Sequence, residues 1–210
     1  MSFAETLSWS RLVPVAVLDR VEDALPLVDA LAAAGLNLIE VTLRTPAALD
    51  AIRQIRSERP DFLVGAGTVL DPETVPQLAD LGVRFVVSPG INPQVVESCH
   101  KAGLPVTPGV ITPTEVEQGR ALGCDVLKFF PAEAMGGARV LKALAGPYGH
   151  TGLKFIPTGG INADKARDYW ALPAVAAVGG SWFVDKKLVA SGDFAAITRL
   201  TAEALQAARG

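Results

Sequence analysis

The sequence predicts an α/β protein, a single (β/α)8 (TIM) barrel domain spanning residues 1–210 with an extra helix before its first strand. Three observations predict it. Eight short β-branched or apolar runs recur along the chain, segments with apolar residues at helical spacing separate most of them, and each strand-plus-helix unit takes only 20 to 28 residues. Parallel neighbours need a crossover, usually helical, so units of this size read as βα repetition. An open doubly wound sheet shares the alternation. Eight units with short connections in 210 residues match the compact barrel, near the lower end of its usual range of ~200–400 residues.

The elements follow in order. In SFAETLSWS, residues 2–10, Phe3, Leu7 and Ser10 fall at near-helical spacing, so a helix closing the barrel floor is expected. LVPVAVL, from residue 12, reads as the first strand. Ala24, Leu27, Val28, Leu31 and Ala32 then mark a helix, with Gly35 as its stop. The remaining strands are expected at LIEVTL from 38, FLVGAGTV from 62, RFVVSP from 84, LPVTPGV from 104, VLKFFP from 126, KFIPTGG from 154 and AVAAVGGSW from 174. Pro89 and Pro131 read as loop formers that shape the rim.

Composition narrows the function classes. Half of the residues are hydrophobic, 20% are charged, and the mean hydropathy is +0.32, which excludes disorder. Twenty glycines and 15 prolines act as punctuation between elements. Nineteen basic against 22 acidic residues give a net charge of −3, and no basic run is present to neutralise a phosphate backbone, so nucleic acid is not an expected partner. The most apolar stretch, residues 171–184, is interrupted by Pro173, Gly179 and Gly180 and falls short of the ~20 residues of a spanning helix. No membrane span and no secretory signal are expected, and two cysteines make no disulfide framework. The expectation is a reduced, cytoplasmic protein with Cys99 and Cys124 as packing thiols.

In a barrel of this kind the functional face is where strands end and helices begin. Alternation along residues 38–44 places Glu40, Thr42 and Arg44 on one face and the apolar Ile39, Val41 and Leu43 on the other, so the polar set is expected to face the barrel interior. The same alternation puts Val126, Lys128 and Phe130 inward. An amine and a carboxylate then share one cavity. Burial disfavours the charged form of a lysine, and a neutral amine is a nucleophile. The plain alternative, a lysine snorkelling to solvent, suits Lys154 at the opposite end of its strand better than Lys128. Glu40 reads equally as a static ion-pair partner and as a general acid/base, and a Schiff-base lysine beside it would require the proton transfers that a carboxylate supplies.

Arg44 shares the parity of Glu40 and suits a substrate carboxylate, against a surface role at the start of the next helix. Thr68 offers either a hydroxyl contact or a turn cap. The pairs Gly159–Gly160 and Gly179–Gly180 end the last two predicted strands, with Ser181 after the second, and together fit a phosphate site built from backbone N–H groups. His100 and His150 fall away from the strand tips, so no catalytic metal site, no Ser–His pair and no metal or organic cofactor is expected. GAGTVL also lacks the third glycine of a dinucleotide fingerprint.

Taken together, VPVAVL, GLNLIEVTLRTPAAL, VGAGTVLDPE, FVVSPG, PVTPGV, LKFFPAE, FIPTGGI and VGGSW, in that order from about residue 12 to 185, resemble the KDPG/4-hydroxy-2-oxoglutarate aldolases. The resemblance implies a trimeric, cofactor-free (β/α)8 class I aldolase acting on a phosphorylated keto acid, 2-dehydro-3-deoxy-6-phosphogluconate (KDPG). It implies Lys128 as the Schiff-base lysine and Glu40 as the proton-shuttling carboxylate. It further implies Arg44, Thr68 and Lys128 at the substrate carboxylate, and Gly159, Gly160, Gly180 and Ser181 at the phosphate, with Pro89, Phe130 and Thr158 lining the pocket. Thr158 matches the KDPG enzymes, whereas relatives acting on the C4 epimer, the 6-phosphogalactonate derivative, tend to have valine there. Two rival readings stand beside it: a sugar-phosphate isomerase or epimerase, which shares the terminal glycine motifs but needs no inward lysine, and a barrel that binds an anionic ligand or assembles into a scaffold without turning it over.

Overall fold

The computed structural model describes Leu7 and residues 9–209. The expected N-terminal helix at residues 2–10 falls mainly outside the described residues; within them Leu7, Trp9 and Ser10 are helical, and the Arg11 N–H donates to the Leu7 carbonyl at 2.8 Å. The fold is α/β, with its parallel strands arranged as a half-barrel and helices between them. The strands are β1 Leu12–Ala16, β2 Leu38–Thr42, β3 Leu63–Gly67, β4 Phe85–Val87, β5 Val106–Thr107, β6 Gly109–Val110, β7 Val126–Phe129, β8 Lys154–Pro157 and β9 Val178–Gly180. The helices are α1 Ala24–Ala33, α2 Ala48–Glu58, α3 Thr74–Asp80, α4 Pro93–Lys101, α5 Pro113–Ala121, α6 Gly137–Ala145, α7 Ala163–Trp170, α8 Lys186–Ser191 and α9 Phe194–Arg209.

Two sheets result, rather than the single eight-stranded sheet of the expectation. One runs β5-β4-β3-β2-β1-β9 and the other β6-β7-β8. The predicted strand from residue 104 is divided at Pro108, because proline has no N–H to donate to a ladder. Its first half pairs with β4 and its second with β7. The Pro108 carbonyl still accepts from the Lys128 N–H at 2.9 Å. At the other edge, isolated bridges join Phe155 to Val175 and Thr158 to Gly179.

Register then decides which side chains share a layer. Val15, Glu40 and Gly65 lie side by side across β1, β2 and β3, and Gly109, Lys128 and Ile156 across β6, β7 and β8. The opposite face carries Ile39, Val41, Leu127 and Phe129, all fully buried in the hydrophobic core. Each such burial stabilises the fold by about 1.5–3 kcal/mol. The helices start on local signals: Asn92 accepts from the Gln94 N–H at 3.0 Å with Pro93 in the first turn, and Asn162 accepts from the Lys165 N–H at 3.0 Å. After α1 the chain turns at Gly35, φ 89°, a left-handed conformation that glycine adopts without a Cβ penalty. Among the described residues no helix is long and apolar enough to cross a membrane.

Candidate active site

Strands β2 and β7 bring the two leading candidates together. Lys128 and Glu40 are 6% and 2% exposed, and the Lys128 Nζ donates to the Glu40 Oε1 at 3.3 Å, although 88 positions separate them in the chain. The ammonium also lies 5.3 Å from the centroid of the Phe130 ring. A buried pair of opposite charge is compensated internally, and removing one partner would leave the other stranded.

In β3, Gly67 makes room for Glu40 and Gly65 for the Phe85 ring, and neither role was read from the sequence. Gly65 and Gly67 share the parity of Glu40 through the β2–β3 register. A Cβ at Gly67 would overlap the Glu40 carboxylate, and one at Gly65 would overlap the Phe85 ring. Glycine inside a strand signals close approach of another group, which was the available clue. Thr68, the next residue, has φ 59°, a left-handed conformation that costs a non-glycine residue on the order of 1–3 kcal/mol and tends to occur at functional sites.

Beside the pair lies a cavity of about 290 Å³. Arg44, Phe130, Thr158, Gly159, Gly160, Gly180 and Ser181 all line it, so these seven predicted residues converge. Arg44 is exposed, and its Nε donates to the Thr42 Oγ1 at 3.3 Å, while that hydroxyl donates to the Ala16 carbonyl at 3.0 Å. Pro89 and Thr68 are not among the lining residues, and neither are Lys128 and Glu40, which adjoin the cavity through Phe130 and Val15. Pro89 instead backs the site: its carbonyl stands where a Cβ on Gly109 would go, and Gly109 is the register partner of Lys128.

The glycine loop after β8 is held from the turn that follows β7. The N–H groups of Ala132 and Glu133 donate to the carbonyls of Thr158 and Gly159 at 2.8 and 3.1 Å. Gly159 and Gly160 have φ 104° and 74°, so larger residues would be strained there. Glu133, absent from the sequence reading, reaches across to α7, accepting from the Tyr169 hydroxyl at 2.6 Å and pairing with the Lys165 Nζ at 2.7 Å. Burial works against its charge, but these two partners prevail and hold its carboxyl below the usual carboxylate range. Nothing in the spacing of FFPAE advertised that role, which depends on a helix 36 positions away.

The residues set aside in the sequence stand apart. The Lys154 Nζ donates to the Pro173 carbonyl at 2.9 Å, and His100 and His150 are exposed. Burial pushes the Cys99 thiol up to about 12 and the Cys124 thiol up to about 11, as suits inert packing groups. Among the described residues no group of three or more His, Cys, Asp or Glu is arranged to hold a metal ion.

Comparison with known proteins bears on the same geometry. The family model for KDPG and KHG aldolases matches residues 3–200. A 2-dehydro-3-deoxy-phosphogluconate aldolase of Haemophilus influenzae is 48% identical over 201 residues, covering 96% of this chain and 94% of that protein. The KHG/KDPG aldolase of Escherichia coli K12 is 42% identical over 203 residues, covering 97% and 94%. Among solved structures, the KDPG aldolase of Legionella pneumophila, with pyruvate captured at low pH as a covalent carbinolamine intermediate, superposes with a TM-score of 0.91 at 39% identity, covering 96% of this chain and 97% of that one.

Proposed function

The chain belongs to the KDPG and KHG aldolase family, and from that premise we propose that it is a class I aldolase cleaving KDPG to pyruvate and glyceraldehyde 3-phosphate. The observation that carries the reading is the buried Lys128–Glu40 pair at 3.3 Å beside the glycine-lined cavity. The reading extends to the whole chain as one closed (β/α)8 domain assembled as a homotrimer in the cytoplasm, with 4-hydroxy-2-oxoglutarate as a further substrate.

The reaction opens with the Lys128 ammonium passing a proton to Glu40 and the freed amine attacking the C2 ketone of the substrate, and Glu40 gives that proton to the departing hydroxyl. Loss of water from the carbinolamine leaves a protonated imine, which draws electrons from the adjacent bond. Glu40, through a water, accepts the C4 hydroxyl proton. The C3–C4 bond then breaks, its electron pair flows into the imine to form an enamine, and glyceraldehyde 3-phosphate departs. Glu40 returns a proton to C3, and hydrolysis of the protonated imine releases pyruvate and restores the Lys128 ammonium. Arg44, Thr68 and Lys128 hold the pyruvyl carboxylate end, while Gly159, Gly160, Gly180 and Ser181 hold the phosphate. Pro89, Phe130 and Thr158 shape the space between. The chemistry needs no metal or organic cofactor, since the lysine itself supplies the electron sink.

Thr158, in the cavity wall, supports the gluconate-derived substrate through the resemblance to the KDPG enzymes, with cleavage of the C4 epimer, the 6-phosphogalactonate derivative, as the alternative reading. An isomerase or a simple anion-binding barrel would leave the inward Lys128 without a purpose. Borohydride reduction in the presence of pyruvate, followed by intact mass and peptide mapping, tests the mechanism. A single pyruvyl adduct on Lys128 is the expected result. A folded protein that acquires no adduct would return the chain to one of those two rival readings.

A further inference from the structure

Resting on the aldolase reading, we propose that Lys186 is a specificity-determining residue that binds the substrate phosphate and is held in reserve by Asp19. A phosphate monoester carries a charge of about −1.5 to −2 at neutral pH. The glycine N–H groups and the Ser181 hydroxyl offer it dipoles but no formal charge. Of the residues lining that cavity, only Arg44 and Lys186 are cationic. Arg44 is anchored through its Nε to Thr42, two residues from Glu40 on β2, and the proposed mechanism assigns it to the pyruvyl end. Asp185 brings a negative charge to the glycine end and cannot readily leave, because its carboxylate accepts the Lys187 N–H at 2.8 Å as the cap of α8. A phosphate there needs a compensating cation.

Lys186 occupies the wall between two spaces. It lines the glycine cavity and also a neighbouring cavity of about 290 Å³ shared with Asp19, Arg20 and Asp23. Its Nζ lies 2.8 Å from the Asp19 Oδ2, with both side chains half exposed. An exposed pair of this kind contributes little stability, so exchanging one carboxylate for a more highly charged phosphate is favourable. The other cation of the second cavity, Arg20, is held by two hydrogen bonds to Asp23, at 2.9 and 2.6 Å. Lys186, on a flexible four-carbon stem, is the cation able to move. Asp19 thereby competes with the substrate phosphate.

Steady-state kinetics of the full-length enzyme on KDPG and on unphosphorylated 2-dehydro-3-deoxygluconate test this. In Lys186→Met the ratio of kcat/KM for the phosphorylated over the unphosphorylated substrate falls about tenfold, chiefly through KM, and the salt dependence of KM weakens. In Asp19→Asn the KM for KDPG drops severalfold. A purely structural role would lower both substrates together and leave the ratio intact, and that outcome overturns the proposal, as does an unaltered KM for KDPG in both variants. If the unsubstituted enzyme releases no pyruvate from KDPG, the aldolase reading beneath the proposal fails instead.

Discussion

At Gly67 the missing side chain is as much a part of the candidate site as Glu40 itself, because a Cβ there would overlap the carboxylate oxygen that faces Lys128. Gly67→Ala is therefore expected to displace Glu40 while leaving the amine in place. General acid–base catalysis contributes typically ~10²–10⁴-fold, so kcat should fall by about 10²-fold or more. Pyruvate trapping by borohydride should persist on Lys128, and retained trapping with lost turnover would separate a misplaced carboxylate from an unfolded chain. Lys128 and Glu40 were legible in the sequence because alternation along a strand is a local property. Gly67 obeys the same alternation, but a residue without a side chain signals its role only once the neighbour that fills its space is known.

At the scale of one element, α5 begins with a capping box that fixes the chain just beyond β6. The Glu115 carboxylate accepts from the N–H groups of Ile111 and Thr112 at 2.7 and 2.8 Å and from the Thr112 hydroxyl at 2.9 Å. Burial alone would favour the neutral acid, yet these hydrogen bonds hold its carboxyl below the usual range. A depressed folded-state value means that the stabilisation is fully present above the unfolded value of about 4.3 and is lost as pH falls through the folded one. Glu115→Gln should therefore destabilise by about 1 kcal/mol at neutral pH. Urea unfolding at a series of pH values should show that difference shrinking in acid, and a pH-independent gap would count against the linkage. The capping box is a local pattern that was not singled out in the sequence, and the division of the fifth predicted strand at Pro108 was not foreseen either. The run LPVTPGV is apolar enough for a continuous strand, and it is the missing proline N–H, between partners β4 and β7, that parts it.

Across the whole molecule, the single chain leaves Trp9, Leu70 and Met135 at 66%, 62% and 46% exposure, apolar surface available for subunit contacts. The proposed trimer predicts, by light scattering, a mass about three times the 21.9 kDa of one chain at micromolar concentration. A monomeric mass would remove that claim without touching the chemistry at Lys128. The sequence by itself determined the alternation of strands and helices, the inward residues Glu40 and Lys128, and the glycine pairs of the cavity, because side-chain direction follows from backbone geometry over a few residues, whereas Arg44, expected inward, lies exposed beyond the end of β2. Only the tertiary structure decided that Lys128 meets Glu40 at 3.3 Å across 88 residues, that Glu133 braces the glycine loop through α7, and that Lys186 stands between two cavities. Those contacts depend on which strands become neighbours and in what register, and the packing of the whole chain sets both.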